Sequence, residues 1–441
     1  MNKQLKMEPG KKCRLPPLLM CLTICFGLFT DMDPAYAQSP APGADLALGS
    51  AVDLAVRNNA QLNSLRAKWE AMQQRSAQAG TLPDPMFTYS GMDMASGGTW
   101  PGTNEKRYMV QQEFPWFGKR ALREGIAAKD AEDMRRELDS MTRDVVMMVK
   151  ESCFDLYAVQ QAVAVTREEE EVLRRIVKVT ATMYATGERA QADVLKAQAE
   201  ITMLKQKLLD LESRESTLKA KLNMLFNRRA DSPLGAVATP PENGYSGNID
   251  ALFAMAATNR TEIQAAQAQV ERYELEKSLM AKESMPDYKL GLEYRDIGTD
   301  ADMVMFTVSV DLPVWRSKYK AGIHEAEMMR ASSEATREAA ERQTAFDVQD
   351  AYFKLQTARR TLELYRNELI PQAKGRFSAS EAGYRTGKVD FMDLLESERF
   401  LLDARVMTAM AEGTVGMQAA RLERAIGTTL LVDRAAQGGG K

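Results

Sequence analysis

The chain says one thing twice. Residues 184–198 read YATGERAQADVLKAQ and residues 384–398 read YRTGKVDFMDLLESE, which aligns Tyr184 with Tyr384, Gly187 with Gly387, Asp193 with Asp393 and Leu195 with Leu395 at an offset of 200. Four more pairs keep the same order. AVRNNAQL (55–62) answers AATNRTEI (256–263) at 201, and PDP (83–85) answers PDY (286–288) at 203. EFPWFGK (113–119) answers DLPVWRSK (311–318) at 198, and VKESCFDL (149–156) answers VQDAYFKL (348–355) at 199. Two coiled-coil-like sequences give one such match by chance, but not five in order. The chain therefore reads as a first structural repeat over 38–228, an inter-repeat segment over 229–250, a second repeat over 251–427 and a tail over 428–441. A repeat of this length constrains the fold more than any local motif.

The ends carry an address. A basic lead (Lys3, Lys6, Lys11, Lys12, Arg14), the 12-residue apolar run LLMCLTICFGLF (18–29) and AYA (35–37) form a secretory signal peptide over 1–37. The apolar run is too short for a permanent membrane span. Cys21 and Cys25 lack the small preceding residue of a lipidation site, and Cys13 also falls in the leader, so only Cys153 remains. A single cysteine gives an exported chain no internal disulfide framework. The leader removes five basic and three acidic residues, which takes the totals from 58 and 61 to 53 and 58 and argues against a nucleic-acid partner. The negative mean hydropathy excludes a helical membrane protein, and the low aromatic content, 7%, suits long solvated helices.

Each half changes period in the same sequence. Residues 45–80 predict a helix, 86–94 and 106–114 a strand pair around the loop ASGGTWPGTNE, 119–184 one long helix, and 190–227 a returning one. The second half predicts a helix over 248–283, strands over 287–295 and 303–311, a long helix over 318–384 bent at Pro371, and a return over 390–426. At ~1.5 Å per residue such long helices reach roughly 100 Å. In DYKLGLEYR (287–295), Tyr288, Leu290, Leu292 and Tyr294 alternate with Lys289, Gly291, Glu293 and Arg295. In MVMFTVSVD (303–311), Val304, Phe306, Val308 and Val310 share one face. The alternation fits a barrel strand between lipid and water, and equally a half-buried strand of a soluble α+β domain. Four strands cannot close a membrane barrel, and an open edge in lipid leaves backbone groups unpaired. An exported chain with four lipid-facing strands must share its barrel; three copies give twelve.

These residues carry a resemblance. YATGERAQADVL and AGYRTGKVDFMDLL at the turns, with Phe114-Pro115 and Leu312-Pro313 at the strand-to-helix joins, resemble TolC-like outer membrane efflux proteins across about 45–427. LPDPMFTYSGMDM (82–94) and QEFPWFGKR (112–120) are most similar to the heavy-metal, CusC- and CzcC-like branch. The resemblance implies a mainly α fold with a small β part. Long helical hairpins build a periplasmic tunnel, and four strands per chain contribute to a shared 12-stranded trimeric β-barrel in the outer membrane. The inter-repeat segment and C-terminus would form an equatorial belt. It further implies a passive duct and no enzyme, a homotrimer, and no cofactor. The partners would be outer membrane lipid, a periplasmic adaptor (membrane fusion) protein and an RND-type inner-membrane efflux pump. The cargo would be heavy-metal cations, with drugs or other small molecules as the alternative. A periplasmic coiled-coil adaptor or a structural protein is the rival of another class; the chain has no room for an adaptor's lipoyl-like module, and a structural protein gives no reason for the strands.

The repeated turns are the candidate periplasmic tip, gate and adaptor contact: Tyr184, Gly187, Arg189, Asp193, Tyr384, Arg385, Gly387, Lys388, Asp390 and Asp393. A plain helix–turn–helix explains the glycines as well, but not the recurring Tyr, Thr, Asp and Leu. The family closes its tip by joining a tyrosine and an arginine of the second repeat to an aspartate of the first. Tyr384 and Asp193 match their positions, whereas the arginine position is Val389, leaving Lys388 or Arg385 as substitutes. A lysine is a point donor and no planar fork. Asp390 and Asp393 would give an acidic ring in a trimer, or simply cap and solvate a helix.

Of 27 methionines, 23 follow the leader, and Met92, Met94 and Met109 in or beside the first strand pair are the metal candidates, since thioethers suit Cu(I). Core or lipid-facing filler is the plainer reading. His324 and Cys153 show no ligand spacing, EEEE (168–171) reads as a solvated helix face, and no catalytic constellation or phosphate loop appears.

Overall fold

The computed structural model describes residues 46–92, 105–238, 248–297 and 301–429. The expected leader, Met94, most of the loop 95–105, the middle of the inter-repeat segment and most of the tail lie outside the described residues. The first repeat contains α1 (Leu48–Asn58), α2 (Ala60–Gly80), β1 (Met86–Met92), β2 (Glu105–Phe114), α3 (Lys119–Ala185) and α4 (Gln191–Leu225). The second contains α5 (Ile249–Asn259), α6 (Thr261–Glu283), β3 (Tyr288–Asp296), β4 (Met303–Val310), α7 (Arg316–Leu364), a π turn (Tyr365–Leu369), α8 (Ile370–Arg385) and α9 (Phe391–Ile426).

Two expected helices are broken, at one place in the repeat. The helix expected over 45–80 stops at Asn59, whose backbone leaves the helical region (φ −59°, ψ 123°). Its Oδ1 accepts from the amides of Gln61 (3.0 Å) and Leu62 (3.2 Å), capping α2, while its Nδ2 donates to the Leu225 carbonyl at the end of α4 (3.2 Å). The helix expected over 248–283 breaks at Arg260 in the same manner. The Arg260 guanidinium donates to the carbonyls of Arg424 (3.0 Å) and Ala425 (3.1 Å) at the end of α9, and pairs with Asp347 (2.8 Å) and Glu262 (2.9 Å). Each joint thus satisfies the orphan carbonyls of its own returning helix. Burial pushes the Glu262 carboxyl up, but the hydrogen bond and charge of Arg424, with Arg260, carry it down to about 2.

Pro371 produces a π turn. Proline lacks the amide hydrogen and would strike the carbonyl four residues back in a regular helix, at Asn367. The chain widens into five π residues there and then continues as α8.

α3 packs against α2, α4, α6 and α9, and α7 against α6 and α9. Around the middle of α3, Val145, Val149, Cys153, Leu156 and Val159 meet Leu222 and Phe226. Leu252, Val348 and Leu355 meet Leu422 and Ile426 in the second repeat. The return helix α9 closes on α3 tightly: a Cβ placed at Gly416 would lie 2.1 Å from the Phe154 ring. Burial pushes the Cys153 thiol up to about 12.

The four strands form one antiparallel sheet in the order β1-β2-β3-β4, so β2 and β3 stitch the repeats together. Register places Tyr89, Tyr108 and Tyr294 opposite one another. One face carries Phe87, Val110, Leu292, Val304, Phe306 and Val308, all about half to three-quarters exposed. The other carries Glu105, Arg107, Glu293 and Arg295, in which Glu105 accepts from Arg107 (2.7 Å) and Arg295 (3.1 Å). Among the described residues neither β1 nor β4 has a partner on its outer edge.

Candidate functional site: the paired helix turns

Both long helices reverse by the same device. Gly187 donates to the Tyr184 carbonyl (3.0 Å) and Glu188 to that of Met183 (2.9 Å); Gly387 donates to Tyr384 (3.1 Å) and Lys388 to Gly383 (2.9 Å). This is the Schellman closure, and it needs a left-handed residue, here at φ +78° and +74°. Nothing lies within 4 Å of a Cβ built on either glycine, so backbone conformation alone selects glycine there.

The turns meet each other. Arg189, two residues beyond Gly187, lays its guanidinium 4.5 Å from the centroid of the Tyr384 ring and donates to the Tyr384 carbonyl at 3.2 Å. A cation at that carbonyl also faces the negative end of α8. Tyr384 is 3% exposed and packs with Phe391, Leu394, Leu395, Leu173 and Ala197, whereas Tyr184 is 45% exposed. The Tyr384 hydroxyl is buried and has no hydrogen-bond partner within the protomer.

The other expected tip residues are placed differently. Asp193 lies 3.8 Å from Lys196 on its own helix and is not bonded to Tyr384. Arg385 pairs with Glu381 one turn back on α8 (2.7 Å). Lys388 is exposed, and Val389 folds over Gly383, where an added Cβ would meet it at 2.3 Å. Asp390 caps α9 by accepting from the Met392 amide (2.8 Å), the plainer of its two expected roles, and Asp393 is exposed in the first turn. Behind the turns lies an apolar cleft of about 400 Å³ lined by Ile176, Val179, Met183, Phe377 and Leu394, with Arg175, Glu381 and Arg385 at its rim.

Of the acidic run, Glu169 is not a solvated residue. It is 3% exposed and faces Glu398 of α9, itself 1% exposed. Burial, then the hydrogen bond and charge of Glu169, push the Glu398 carboxyl up to about 9. Arg405 pairs with Glu169 and Glu168 from the other side. Sequence reading passed over this pair because a charged run is normally solvated; Glu398 falls at the spacing of the buried Leu394 and Leu395, and that was the available signal. Met109 sits half-buried on the charged face of the sheet, and Met92 holds the position paired with Glu105. Among the described residues no group of three or more His, Cys, Asp or Glu is placed to hold a metal ion, and no helix is long and apolar enough to cross a membrane.

A family profile described as "Outer membrane efflux protein" matches residues 51–227 and 252–428, one match per repeat. The cobalt-zinc-cadmium resistance protein CzcC of Cupriavidus metallidurans is 23% identical over 410 residues, covering 90% of this chain and 93% of its own. The outer membrane protein VceC of Vibrio cholerae superposes with a TM-score of 0.72 at 17% identity, over 87% of this chain and 97% of its own. CusC, a protein that folds into a transmembrane channel, superposes with a TM-score of 0.74 at 14% identity, over 89% and 96%.

Proposed function

From the premise that this chain belongs to the outer membrane efflux protein family, we propose that it forms a homotrimeric duct conducting heavy-metal cations outward through the outer membrane. The single observation behind the assembly is an incomplete pseudo-symmetry. The first long helix, α3, packs on the second repeat's return helix α9 and on α6, whereas among the described residues α7 makes no comparable packing with α4 or α2. The equivalent partners are those of a neighbouring copy. The faces involved are apolar and uncovered: Phe346, Phe353 and Leu364 toward one side, and Leu195, Met203 and Leu209 of α4 on the other. A head-to-tail contact of this type closes into a ring. The same closure pairs β4 with the next copy's β1, so three copies supply twelve strands with no open edge in the lipid.

Ten residues at the tip, from Tyr184 to Asp393, then form the periplasmic end, where the chain meets an adaptor and through it an inner-membrane pump of the RND type. The uncovered apolar cleft behind the turns is the surface offered to the adaptor. The Arg189–Tyr384 contact holds the two hairpins of one protomer together. The equivalent seam between protomers brings Tyr184 toward Val389 with no arginine, so opening begins between protomers. The metal cargo rests on the resistance protein matched over nine-tenths of this chain.

The test is a strain lacking this chain, complemented with it. Restored tolerance to cobalt, zinc or cadmium, with the protein in the outer membrane fraction and cross-linked as trimers, is the expected result. Unchanged metal tolerance with altered tolerance to organic dyes overturns the cargo, and a soluble periplasmic monomer overturns the duct.

A further inference from the structure

A knot of hydrogen bonds ties the sheet to the first long helix. The Lys119 ammonium, 1% exposed, donates to both oxygens of Asp287 (2.9 and 3.0 Å) and to the Met285 carbonyl (3.1 Å), and Glu283 lies 3.3 Å away. The Trp116 amide donates to the same Asp287 carboxylate (2.6 Å). Its donors belong to the first repeat, at the join of β2 and α3. Its acceptors belong to the second, at the join of α6 and β3.

Every group in the knot but Glu283 has a counterpart in the opposite repeat, and those counterparts are apart. Lys318 answers Lys119, and the two lysine amides close the same turn, on the carbonyls of Trp116 (3.1 Å) and Trp315 (3.0 Å). Asp84 answers Asp287 in the PDP and PDY segments, and the same offset pairs Leu82 with Met285. Lys318 is exposed and only leans over the adjoining Tyr319 ring (5.5 Å), and Asp84 is exposed too. Among the described residues neither has an ion-pair partner, and the Trp315 amide has no acceptor. The reason lies in the sheet order. The first knot crosses from one repeat to the other where β2 adjoins β3, but β4 and β1 are the outer edges and never meet within a chain. The second crossing needs β4 of one copy beside β1 of the next.

We infer that Lys318 pairs with Asp84 of the partner subunit, with the Trp315 amide on the same carboxylate and the Leu82 carbonyl of the partner subunit as a further acceptor. The join of sheet and tunnel is then stapled inside each protomer and again at each seam between protomers. This rests on the ring closure proposed above and gives that seam a named polar contact, which fixes its register as apolar faces alone do not. The seam is the weaker of the two staples. Glu283, the second carboxylate beside Lys119, is answered by Gly80, so Lys318 meets a single carboxylate.

The test is a charge swap, read as the trimer-to-monomer ratio of the full-length protein in detergent by native mass spectrometry. Lys318→Asp and Asp84→Lys, each alone, should lower that ratio about tenfold or more, since each sets like charges face to face across the seam. The double variant should restore the wild-type distribution. Both side chains are exposed within the protomer, so its fold survives either reversal. A double variant no better than the single ones overturns the inference, as do single variants that assemble like the wild type. Loss of trimer in Lys318→Asp with none in Asp84→Lys would give the lysine to a lipid phosphate instead, and overturns it as well. A wild type that is itself monomeric strikes the ring, whereas a trimeric wild type indifferent to both reversals strikes only this pair.

Discussion

Arg189 of the first repeat lies over the ring of Tyr384 of the second, 4.5 Å from its centroid, and donates to its carbonyl. An arginine two residues beyond a turn glycine is therefore present at this tip, on the opposite repeat from the one where family resemblance seeks it. Such a stack contributes about 0.5–1 kcal/mol where solvent reaches it. Arg189→Ala should raise the open probability of the channel a few-fold in planar bilayers. Arg189→Lys should restore little, since an ammonium cannot supply the flat fork. Equal conductance in wild type and both variants would remove the latch.

Gly387→Val forces a β-branched residue to φ +74°. Export should be lost while outer membrane insertion and trimer formation persist, because the sheet lies at the other end of α7 and α8. Fractionation and metal tolerance measured on the same cells separate these outcomes.

Glu398 gives a pH dependence with a defined sign. Its carboxyl is held up to about 9 against an ordinary 4.5, by burial and then by Glu169, with Glu200 adding and Arg399 opposing. Glu168 and Arg405 complete the charged groups facing the pair. The folded chain keeps a proton that the unfolded chain releases above 4.5. The stability this proton contributes is whole below 4.5 and is lost progressively as pH rises toward about 9. Glu398→Gln should flatten the fall of the melting temperature across that window and raise it at the alkaline end. Parallel melting curves for wild type and variant at all pH values would contradict the shared-proton pair.

The two joints predict unequal costs. Asn59→Ala removes a cap and should cost about 1 kcal/mol. Arg260→Ala strips the end of α9 and leaves Asp347 without its cation, while Glu262 keeps Arg424, and it should cost more than the lost cap. Urea unfolding in detergent ranks them.

Cys153, with its thiol pushed to about 12, should resist iodoacetamide in the folded protein at pH 8 and react once denatured. Mass spectrometry counts the adducts.

Much of this architecture was legible because punctuation carries physical demands. Glycine at a helix reversal, alternation in Tyr288–Tyr294 and the order of repeated segments all constrain backbone geometry, and the strands and helix turns fall within a few residues of expectation. The joints were missed although RNNAQ and TNRTE had been aligned, because Arg260 does by tertiary contact what Asn59 does by local capping. The Arg189 stack was missed for a related reason. A motif aligned within one repeat says nothing of which repeat's side chain reaches across. Glu169 and Glu398 were hidden because two carboxylates in a core contradict composition-level rules, and only the partner helix reveals that they face each other.

The π turn accounts for an arithmetic oddity in the duplication. Lys119 and Lys318, like Cys153 and Tyr352, are 199 apart, yet Gly187 and Gly387 are 200 apart. Somewhere between Leu355 and Tyr384 the second half has acquired one residue, and the described helix departs from α geometry there only at Tyr365–Leu369. Spliced into a continuous α-helix, an extra residue would swing everything beyond it by about 100° and carry Tyr384 away from Arg189. Swallowed as a bulge, it leaves the downstream turn in phase. The halves of this chain have thus been able to grow unequal in length while their ends stay aligned, with the slack taken up where a proline had already loosened the coil.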